Sequence, residues 1–500
     1  MDRNSNSYNK PIEINWTPDR TSKVPMYTQI VSYITEKIQK GDWVEGQRLP
    51  SQRRLSELFG VNRSTIVTAM DELLSYGIIE SSGGGGTRIA GGSWSLRLAQ
   101  PPDWNQYIRS GPFRANKPTI QMINRMEFEE GYIRIGTGEL SPDLYPKDLA
   151  ADILRRLPKK IPSLNYLGTL GLPELREELC VYLEREHGIL CSPEEILITS
   201  GSLQALQLIS ICMLKKGASV YTEAPTYLKS LQVFQSAGMN MMGIPLDEEG
   251  MRYGVLRGRD LRDSIIYTIP TFHNPTGRIM SPLRRMSLLN FCSENCIPLI
   301  EDDAYGSLWI DEKPPKPIKS MDESGNVLYL GTLSKTMAPG LRIGWVVGPE
   351  AVVYRLGDVK MQTDYGSSSV SQWVAAELLN DPAYEEYLTY LRVDLMERRD
   401  LASAALDEYF GKFGSSGPSE NAVCTWEIPR GGFYIWVRFS KKLPMDKIFY
   451  EALDRGVLFN PGNVYDYAEN NSIRISYAYA SPEDIRKAIR ILSEVIKKYL

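Results

Sequence analysis

The chain has 500 residues, and at roughly 150 residues per domain this length predicts about three compact units rather than one. Hydrophobic residues make up 42% and charged residues 24%, an ordinary globular usage that excludes a disordered or fibrous chain. The formal net charge of -4 argues against a uniformly basic nucleic-acid-binding surface, but a local basic patch is compatible with it.

The inventory of reactive side chains narrows the possible chemistry. The six cysteines are scattered and never form CxxC, and His187 and His273 are the only histidines, so we expect no metal site, disulfide framework or Ser-His-Asp triad. No stretch approaches the roughly 20 apolar residues of a membrane span, and the N-terminus lacks the apolar core of a secretory signal. These features predict a cytoplasmic protein with no membrane partner.

The first predicted elements are an amphipathic helix and a second, short helix. Residues 1–20 are polar and are predicted to form a flexible N-terminus. The spacing of Ile30, Ile34 and Ile38 then indicates an amphipathic helix, because these residues lie one turn apart. Ser51 can cap a second helix, SQRRLSELFG, which its terminal glycine ends.

A third helix and a ribbon follow in VNRSTIVTAMDELLSYGIIESSGGGGTRIA. The helix places four apolar residues on one side, Ile66, Met70, Leu73 and Leu74. Two short strand-like runs, joined by the glycines 83–86, come next. Three helices followed by a glycine-tipped ribbon is the element order of a winged helix-turn-helix, predicted over residues 21–90.

A local basic patch lies in the same block. Four arginines stand within sixteen positions against one acid, Glu57, and three polar residues open the third helix, where side chains and helix amides can meet bases and phosphates. The block LPSQRRLSELFGVNRSTIVTAMDELLSYGII resembles the winged-helix domain of the GntR family of bacterial repressors, although Thr68 stands where that family often has another arginine. The candidate DNA contacts are Arg48, Ser51, Arg53, Arg54, Arg63, Ser64, Thr65 and Arg88, the last after the wing glycines.

The remainder of the chain changes character. Residues 91–125 are rich in Gly, Pro and aromatic residues without a sustained period, which indicates a linker. Over residues 126–500, helical stretches alternate with short apolar runs such as IIYTI and VLYL, which predicts a mainly parallel α/β sheet with ligands at the strand ends. A smaller α+β subdomain is predicted from about residue 385.

Chemistry-bearing residues follow several of these predicted strands. In YLGTLSKTMAPGLRIGW, Lys335 stands beside hydroxyls and suits a Schiff base with an aldehyde, while Thr332, Ser334 and Arg342 suit a phosphate. In TIPTFHNPTG, Asn274 follows a strand and can donate to a phenolic oxygen. This combination indicates a cofactor that carries both an aldehyde and a phosphate.

Three further segments support the same cofactor. Asp302, after the apolar run of IPLIEDDAYGSL, can pair with a pyridinium nitrogen. Gly201 and Ser202 open a helix whose amides can bind phosphate, and Tyr227 can cover a planar ring. The next residue, Leu203, has no polar side chain, so a backbone amide would serve at that position.

Together these motifs resemble fold-type I aminotransferases that use pyridoxal 5'-phosphate (PLP), over roughly residues 130–500. The resemblance implies that Lys335 forms the aldimine, Asp302 binds the ring nitrogen, and Arg342 binds the phosphate. It also implies contacts to the ring 3'-oxygen from Asn274 and Tyr305, to the partner subunit's phosphate from Tyr166, and to a substrate carboxylate from Arg474.

A GntR-type reader fused to an aminotransferase-like domain resembles the MocR/GabR subfamily of transcription regulators. The resemblance implies a cytoplasmic homodimer that binds double-stranded DNA and senses a small amino acid or related amine by aldimine exchange at Lys335. A catalytic set this complete also leaves open an active aminotransferase of the aminoadipate or kynurenine type with an accessory winged helix, and a weaker alternative is a purely structural PLP. The intact basic helix favours the regulator.

Overall fold

The computed structural model describes residues 12–82, 86–90, 110–111, 116–417, 422–468 and 470–500. Contacts divide the chain into two compact units, Met1–Gly111 and Pro112–Leu500. The tip of the predicted wing and most of the predicted linker over 91–125 lie outside the described residues. Among the helices that the structure describes, none is long and apolar enough to cross a membrane.

The N-terminal unit has the predicted element order. Its elements are α1 (Met26–Gln39), α2 (Gln52–Phe59), α3 (Arg63–Ser75), β1 (Ile79–Ser82) and β2 (Gly86–Ile89), and the two strands pair antiparallel. The Ser51 hydroxyl accepts a hydrogen bond from the Arg54 amide at 3.3 Å and so caps α2. Gly60 ends that helix in the left-handed conformation, with φ 64°, which costs glycine little.

The core of this unit differs from the predicted one at two places. Leu74 is 38% exposed, because the buried stripe of α3 runs through Ile66, Ala69, Met70 and Leu73 and leaves Leu74 at its edge. The segment predicted as flexible is packed from Ile12 onward, since Trp16 stacks on Tyr33 with ring centroids 4.4 Å apart. The aromatic side chain thus ties this stretch to α1.

The C-terminal unit is built from strands and helices that alternate along much of the chain. Its strands are β3 (Ile133–Arg134), β4 (Ile196–Thr199), β5 (Ser219–Ala224), β6 (Asn240–Asp247), β7 (Gly250–Met251), β8 (Ser264–Thr268), β9 (Leu299–Asp302), β10 (Val327–Thr332), β11 (Gly344–Val347), β12 (Gly414–Ser416), β13 (Cys424–Trp426), β14 (Tyr434–Phe439), β15 (Val457–Leu458), β16 (Asn460–Pro461) and β17 (Ser472–Ser476). Its helices are α4 (Pro118–Met126), α5 (Lys147–Arg156), α6 (Pro173–His187), α7 (Ser202–Cys212), α8 (Leu228–Ser236), α9 (Pro282–Glu294), α10 (Glu350–Thr363), α11 (Ser369–Leu379), α12 (Pro382–Phe410), α13 (Met445–Asp454) and α14 (Pro482–Lys497).

A large mixed sheet organises this unit, in the order β4-β11-β10-β9-β8-β5-β6-β7. Apolar side chains cover it on both faces: in β10, Leu328 and Leu330 belong to one core cluster and Tyr329 to another. Every residue of β8, β9 and β10 is buried, which explains why these strands read as continuous apolar runs rather than as alternating patterns.

The pairing of these strands brings particular chain ends together. Strands β5, β8, β9 and β10 are parallel to one another, so their carboxyl ends share one edge of the sheet. Strand β11 is antiparallel to both β10 and β4, so β11 begins, and β4 ends, at that same edge. Segments that are far apart in sequence therefore converge there.

A second sheet lies in the C-terminal part, in the order β12-β13-β14-β17-β16. The 29-residue helix α12 leads into it and begins at Pro382, close to the predicted start of the smaller subdomain. Strand β14 pairs with β17 so that Trp436 lies opposite Arg474. This pairing fixes Arg474, which is only 3% exposed.

Candidate functional site

A cavity of about 320 Å³ lies at the shared strand edge of the large sheet. Most of the candidate residues for the C-terminal unit line it: Gly201, Ser202, Tyr227, Asn274, Asp302, Tyr305, Thr332, Ser334, Lys335 and Arg342. The structure thus brings together residues that sequence analysis took from separate motifs. Their roles toward a ligand stay predictions.

Lys335 reaches the cavity from the turn after β10. Its Nζ donates a hydrogen bond of 2.6 Å to the carbonyl of Gly138, a residue 197 positions away in the chain. Lys335 is the only lysine of the cavity lining in the described part of the chain. Its amine is held by one backbone carbonyl, an arrangement that leaves it available for bonding to an aldehyde.

Asp302 ends β9 with its side chain in the cavity. Its Oδ2 accepts a hydrogen bond of 2.7 Å from the Tyr267 hydroxyl, whereas its buried Oδ1 has no partner among the described residues. Burial raises the pKa of the Asp302 carboxyl from its ordinary 3.8 to about 6, and the bond from Tyr267 partly opposes this. A cationic ring nitrogen beside Oδ1 would satisfy both the orphaned oxygen and the buried charge.

Asn274 and Tyr305 belong to a buried polar network at the side of the cavity. Asn274 Oδ1 accepts a hydrogen bond of 2.8 Å from Arg474, which leaves the amide nitrogen to donate into the cavity. The Tyr305 and Tyr434 hydroxyls are 2.9 Å apart. The Arg474 guanidinium lies over the Tyr434 ring, 3.9 Å from its centroid, and over the Tyr465 ring at 4.7 Å.

Arg474 itself does not line the cavity, so the structure places it behind Asn274 rather than openly in front of Lys335. Its Nη2 donates to the Gly136 carbonyl, and its buried Nε has no partner among the described residues. Among the described residues, the Nε–H donor of the guanidinium is therefore unused. Its role as a carboxylate clamp stays a prediction.

The opposite end of the cavity carries donors suited to an anion. Gly201 has φ 84°, and a β-carbon there would come within 2.8 Å of Arg342 Nη2, so glycine permits this close approach. Ser202 then opens α7, whose first amides face the same end. Thr332 accepts a hydrogen bond of 3.1 Å from the Ser334 amide, which fixes the turn that also carries Lys335.

The two remaining tyrosines are placed differently. Tyr227 is half-buried in the cavity wall, and burial raises its pKa to about 12, so its phenol is neutral. Tyr166 lies outside the cavity lining of its own chain and is 79% exposed, packing edge-on to Tyr365 at 4.8 Å. An exposed position is what a contact to a partner subunit requires.

The predicted DNA contacts are mostly exposed side chains of the N-terminal unit. Arg53 and Arg54 both lie near Glu57, at 3.6 and 2.9 Å, and their side chains are 88% and 62% exposed. Arg48, Ser51, Arg63 and Ser64 are exposed, and Thr65 is half-buried at the start of α3. The half-buried Arg88 donates 2.8 Å to the Gly46 carbonyl, so part of its guanidinium is engaged within the unit.

Sequence reasoning missed several residues of the cavity. Glu139 lines it, Gly138 accepts the hydrogen bond from Lys335, and Tyr267 and Tyr434 orient Asp302 and Tyr305. Asp302 ends β9, and Tyr267 is the penultimate residue of the neighbouring parallel strand β8, so strand alignment could have suggested that pair. Nothing local in the sequence marks the other three.

The donor set of the cavity fits PLP on three independent observations. Asp302 has an unpartnered carboxylate oxygen that suits a ring nitrogen, Lys335 is the one lysine of the described lining and suits an aldehyde, and a close glycine, helix amides and Arg342 suit a phosphate. Among the described residues, no group of three or more His, Cys, Asp or Glu side chains could hold a metal ion.

Comparison with known proteins agrees with this geometry. Residues 136–492 match the family model of aminotransferase class I and II, and residues 26–89 match the gntR family of bacterial regulatory proteins. The chain is 49% identical to the HTH-type transcriptional regulator YisV of Bacillus subtilis (strain 168), over 97% of this chain and 99% of that one. It is 31% identical to the HTH-type transcriptional regulator NorG of Staphylococcus aureus (strain USA300), over 90% and 100%.

Solved structures share the fold of the larger unit. A Pyrococcus horikoshii kynurenine aminotransferase has a TM-score of 0.73 and 33% identity, covering 79% of this chain and 98% of that chain. LysN, an α-aminoadipate aminotransferase from Thermus thermophilus complexed with N-(5'-phosphopyridoxyl)-L-leucine, has a TM-score of 0.70 and 28% identity, covering 79% and 98%. The predicted fold class, a winged helix-turn-helix joined to a fold-type I aminotransferase-like domain, is confirmed.

Proposed function

We propose that this chain, which belongs to the aminotransferase class I and II family and carries a gntR-family domain at its N-terminal side, is a PLP-dependent transcription regulator. It binds double-stranded DNA through α3 and the basic residues around it, and it senses a small amino acid or related amine in the cavity. It acts in the cytoplasm as a homodimer. The observation that carries this proposal is one chain that combines exposed arginines on α2 and at the start of α3 with a cavity whose lining fits PLP.

Different residues of the cavity bind different parts of PLP. PLP, when bound, supplies an aldehyde to which a primary amine can be joined covalently. Asp302 holds the ring nitrogen, Arg342 and the start of α7 hold the phosphate, and Asn274 donates to the ring oxygen. Arg474 is linked to Asn274 by a 2.8 Å hydrogen bond. An effector carboxylate at the Arg474 guanidinium would therefore act on the same network that holds the ring.

Regulation requires the effector to bind two states of the protein with different affinity. Repositioning of Arg474 around a carboxylate would change its contacts to Asn274 and to the Gly136 carbonyl, both of which are buried. Such a change alters the packing between β17 and the segment before α5. We propose that this difference biases the DNA affinity of the N-terminal units.

The test is to sequence DNA fragments retained by the PLP-loaded protein, with and without candidate amino acids. A shared retained sequence, with affinity altered by at least one amino acid at fixed salt, is the expected result. The matched control is the protein with Lys335→Ala, which should still retain the same sequence but lose the response. Retention of DNA without sequence preference would overturn the proposal that the protein is a transcription regulator.

An active aminotransferase is the second candidate, because every candidate residue of the C-terminal unit except Tyr166 lines the cavity or, as Arg474 does, bonds to a residue that lines it. The Tyr166 position, exposed on its own chain, fits the shared site of a dimer in either case. Rapid conversion of an amino acid and 2-oxoglutarate, with no effect of that amino acid on DNA affinity, would favour the enzyme. Slow or absent turnover with altered DNA affinity would favour the regulator.

A further inference from the structure

Glu139 is a carboxylate at the cavity for which the proposed PLP contacts provide no use. Besides Asp302 it is the only acidic side chain of the lining within the described residues. By contrast with Glu139, two other charged side chains of the lining have partners: Asp302 accepts a hydrogen bond from Tyr267, and Arg342 donates one to the Ser200 carbonyl. Glu139 is exposed, and in the part of the chain that the structure describes it makes neither a hydrogen bond nor an ion pair.

The segment that carries Glu139 borders the two groups that would recognise an amino acid. The Gly136 carbonyl accepts a hydrogen bond from Arg474 Nη2, and the Gly138 carbonyl accepts one of 2.6 Å from Lys335 Nζ. A β-carbon on Gly138 would lie 4.0 Å from Arg474 Nη2. Since adjacent Cα atoms are about 3.8 Å apart, the Cα of Glu139 lies at about that distance from the Cα of Gly138, the residue whose carbonyl contacts Lys335.

This placement gives the cavity a third point of recognition with a charge opposite to that of the carboxylate clamp. Arg474 suits an effector carboxylate, and Lys335 marks where the reacting amine must lie. Because Glu139 belongs to the lining, a ligand bound in the cavity lies beside its carboxylate. A neutral ligand side chain leaves that anion without a partner, whereas a cationic group pairs with it, so the carboxylate discriminates between the two.

We propose that Glu139 binds a cationic group at the far end of the effector, which makes the effector an amino acid or amine with a second ammonium or guanidinium group. The proposal rests on the proposed effector binding and adds the chemical class of the ligand. Glu139 acts as a specificity-determining residue and takes no part in holding PLP.

The experiment titrates the PLP-loaded protein with L-ornithine and L-lysine, and with L-norleucine as a neutral ligand of similar length, following the absorbance of the bound cofactor. Wild type should bind the cationic ligands roughly fivefold more tightly than norleucine, the scale of one exposed ion pair. Glu139→Gln should remove this preference and leave the norleucine affinity within about twofold. Glu139→Lys should reverse the preference toward L-glutamate.

Glu323→Gln is the matched control, because it removes the same charge from an exposed loop before β10, at the end of that strand opposite to Thr332. It should bind all ligands as wild type does. Equal losses for ornithine and norleucine in Glu139→Gln, or a wild type that binds norleucine as tightly as ornithine, would overturn the Glu139 proposal and leave effector binding intact. A loaded protein whose absorbance no amine alters would overturn effector binding itself, and the Glu139 proposal with it.

Discussion

The cofactor cavity and the basic surface formed by α2 and the start of α3 are built in opposite ways. In the cavity region, Asp302 and Arg474 are 7% and 3% exposed and are held by hydrogen bonds from distant parts of the chain. On the basic surface of the N-terminal unit, Arg53 and Arg54 of α2 are 88% and 62% exposed, and among the described residues both pair with one nearby glutamate. The cavity residues are fixed by contacts within their own unit, whereas the exposed arginine side chains keep conformational freedom that DNA binding would reduce. Single substitutions should therefore have larger effects in the cavity.

The largest expected effect is the loss of covalent cofactor attachment in Lys335→Ala. No other lysine lines the cavity among the described residues, so no other amine can take its place. Borohydride reduction should attach PLP covalently to wild type and not to the variant, as measured by the mass of the intact protein. Lys216→Ala, which changes an exposed lysine, should behave as wild type. A reducible adduct that survives in Lys335→Ala would show that the assignment is wrong.

Asp302→Asn should weaken PLP binding next most strongly, by roughly 100-fold, since it removes one partner of a buried ion pair. Equilibrium titration of the unliganded protein with PLP measures the change. Asp263→Asn, an exposed acid before β8, serves as the control and should bind PLP as wild type does. An unchanged PLP affinity in Asp302→Asn would contradict the role assigned to its orphaned oxygen.

Asp302→Asn should also stabilise the unliganded protein against unfolding, and the raised pKa of Asp302 predicts how this stabilisation depends on pH. Burial raises the Asp302 pKa to about 6 from 3.8, so between these values the folded state binds more protons than the unfolded chain. Stability from this group therefore falls as pH rises through that window, and the cost is complete above about pH 6. Thermal unfolding at pH 8 should show Asp302→Asn roughly 1 to 3 kcal/mol more stable than wild type, with little difference near pH 4.

Arg474→Lys should lower effector affinity by roughly 30-fold, because lysine keeps the charge but lacks the planar fork that binds a carboxylate. The variant also loses the 2.8 Å bond to Asn274, so PLP affinity is measured beside effector affinity. A large loss for an amino acid with a small loss for its decarboxylated amine is the expected pattern. Equal losses for both ligands would mean that Arg474 only positions Asn274.

Much of the cavity could be predicted because parallel strands place their carboxyl ends at one edge. Asp302 ends β9, Thr332 ends β10, and Asn274 follows β8, so the local motifs already stood at the right positions. Residues fixed by distant contacts could not be found in this way. The bond between Lys335 and Gly138 spans 197 residues, and no local pattern around Gly138 or Glu139 indicates it.

The N-terminal unit shows the limits of helical periodicity. The predicted stripe of α3 included Leu74, which is 38% exposed, and omitted Ala69, which is fully buried. Periodicity identifies the centre of an apolar face but not its edges, where packing partners decide which residue is covered. The same holds for Arg88, whose bond to the Gly46 carbonyl depends on how the ribbon folds back.

Arg63→Ala should give the smallest of these effects, a loss of roughly 1 to 3 kcal/mol in DNA binding if the side chain reads a base and less if it meets only phosphate. Arg63 is exposed at the first turn of α3, whose apolar side is committed to the core. Gel-shift titrations at several salt concentrations, on the retained sequence and on unrelated DNA, separate the two cases. A base contact lowers affinity for the retained sequence alone, whereas a phosphate contact lowers both and reduces the salt slope by about one unit. Lys40→Ala, at the end of α1, is the matched control. Unchanged affinity in Arg63→Ala would contradict the proposed contact between the start of α3 and DNA. It would also remove the support for contrasting cavity residues fixed within the chain with a surface that orders on DNA.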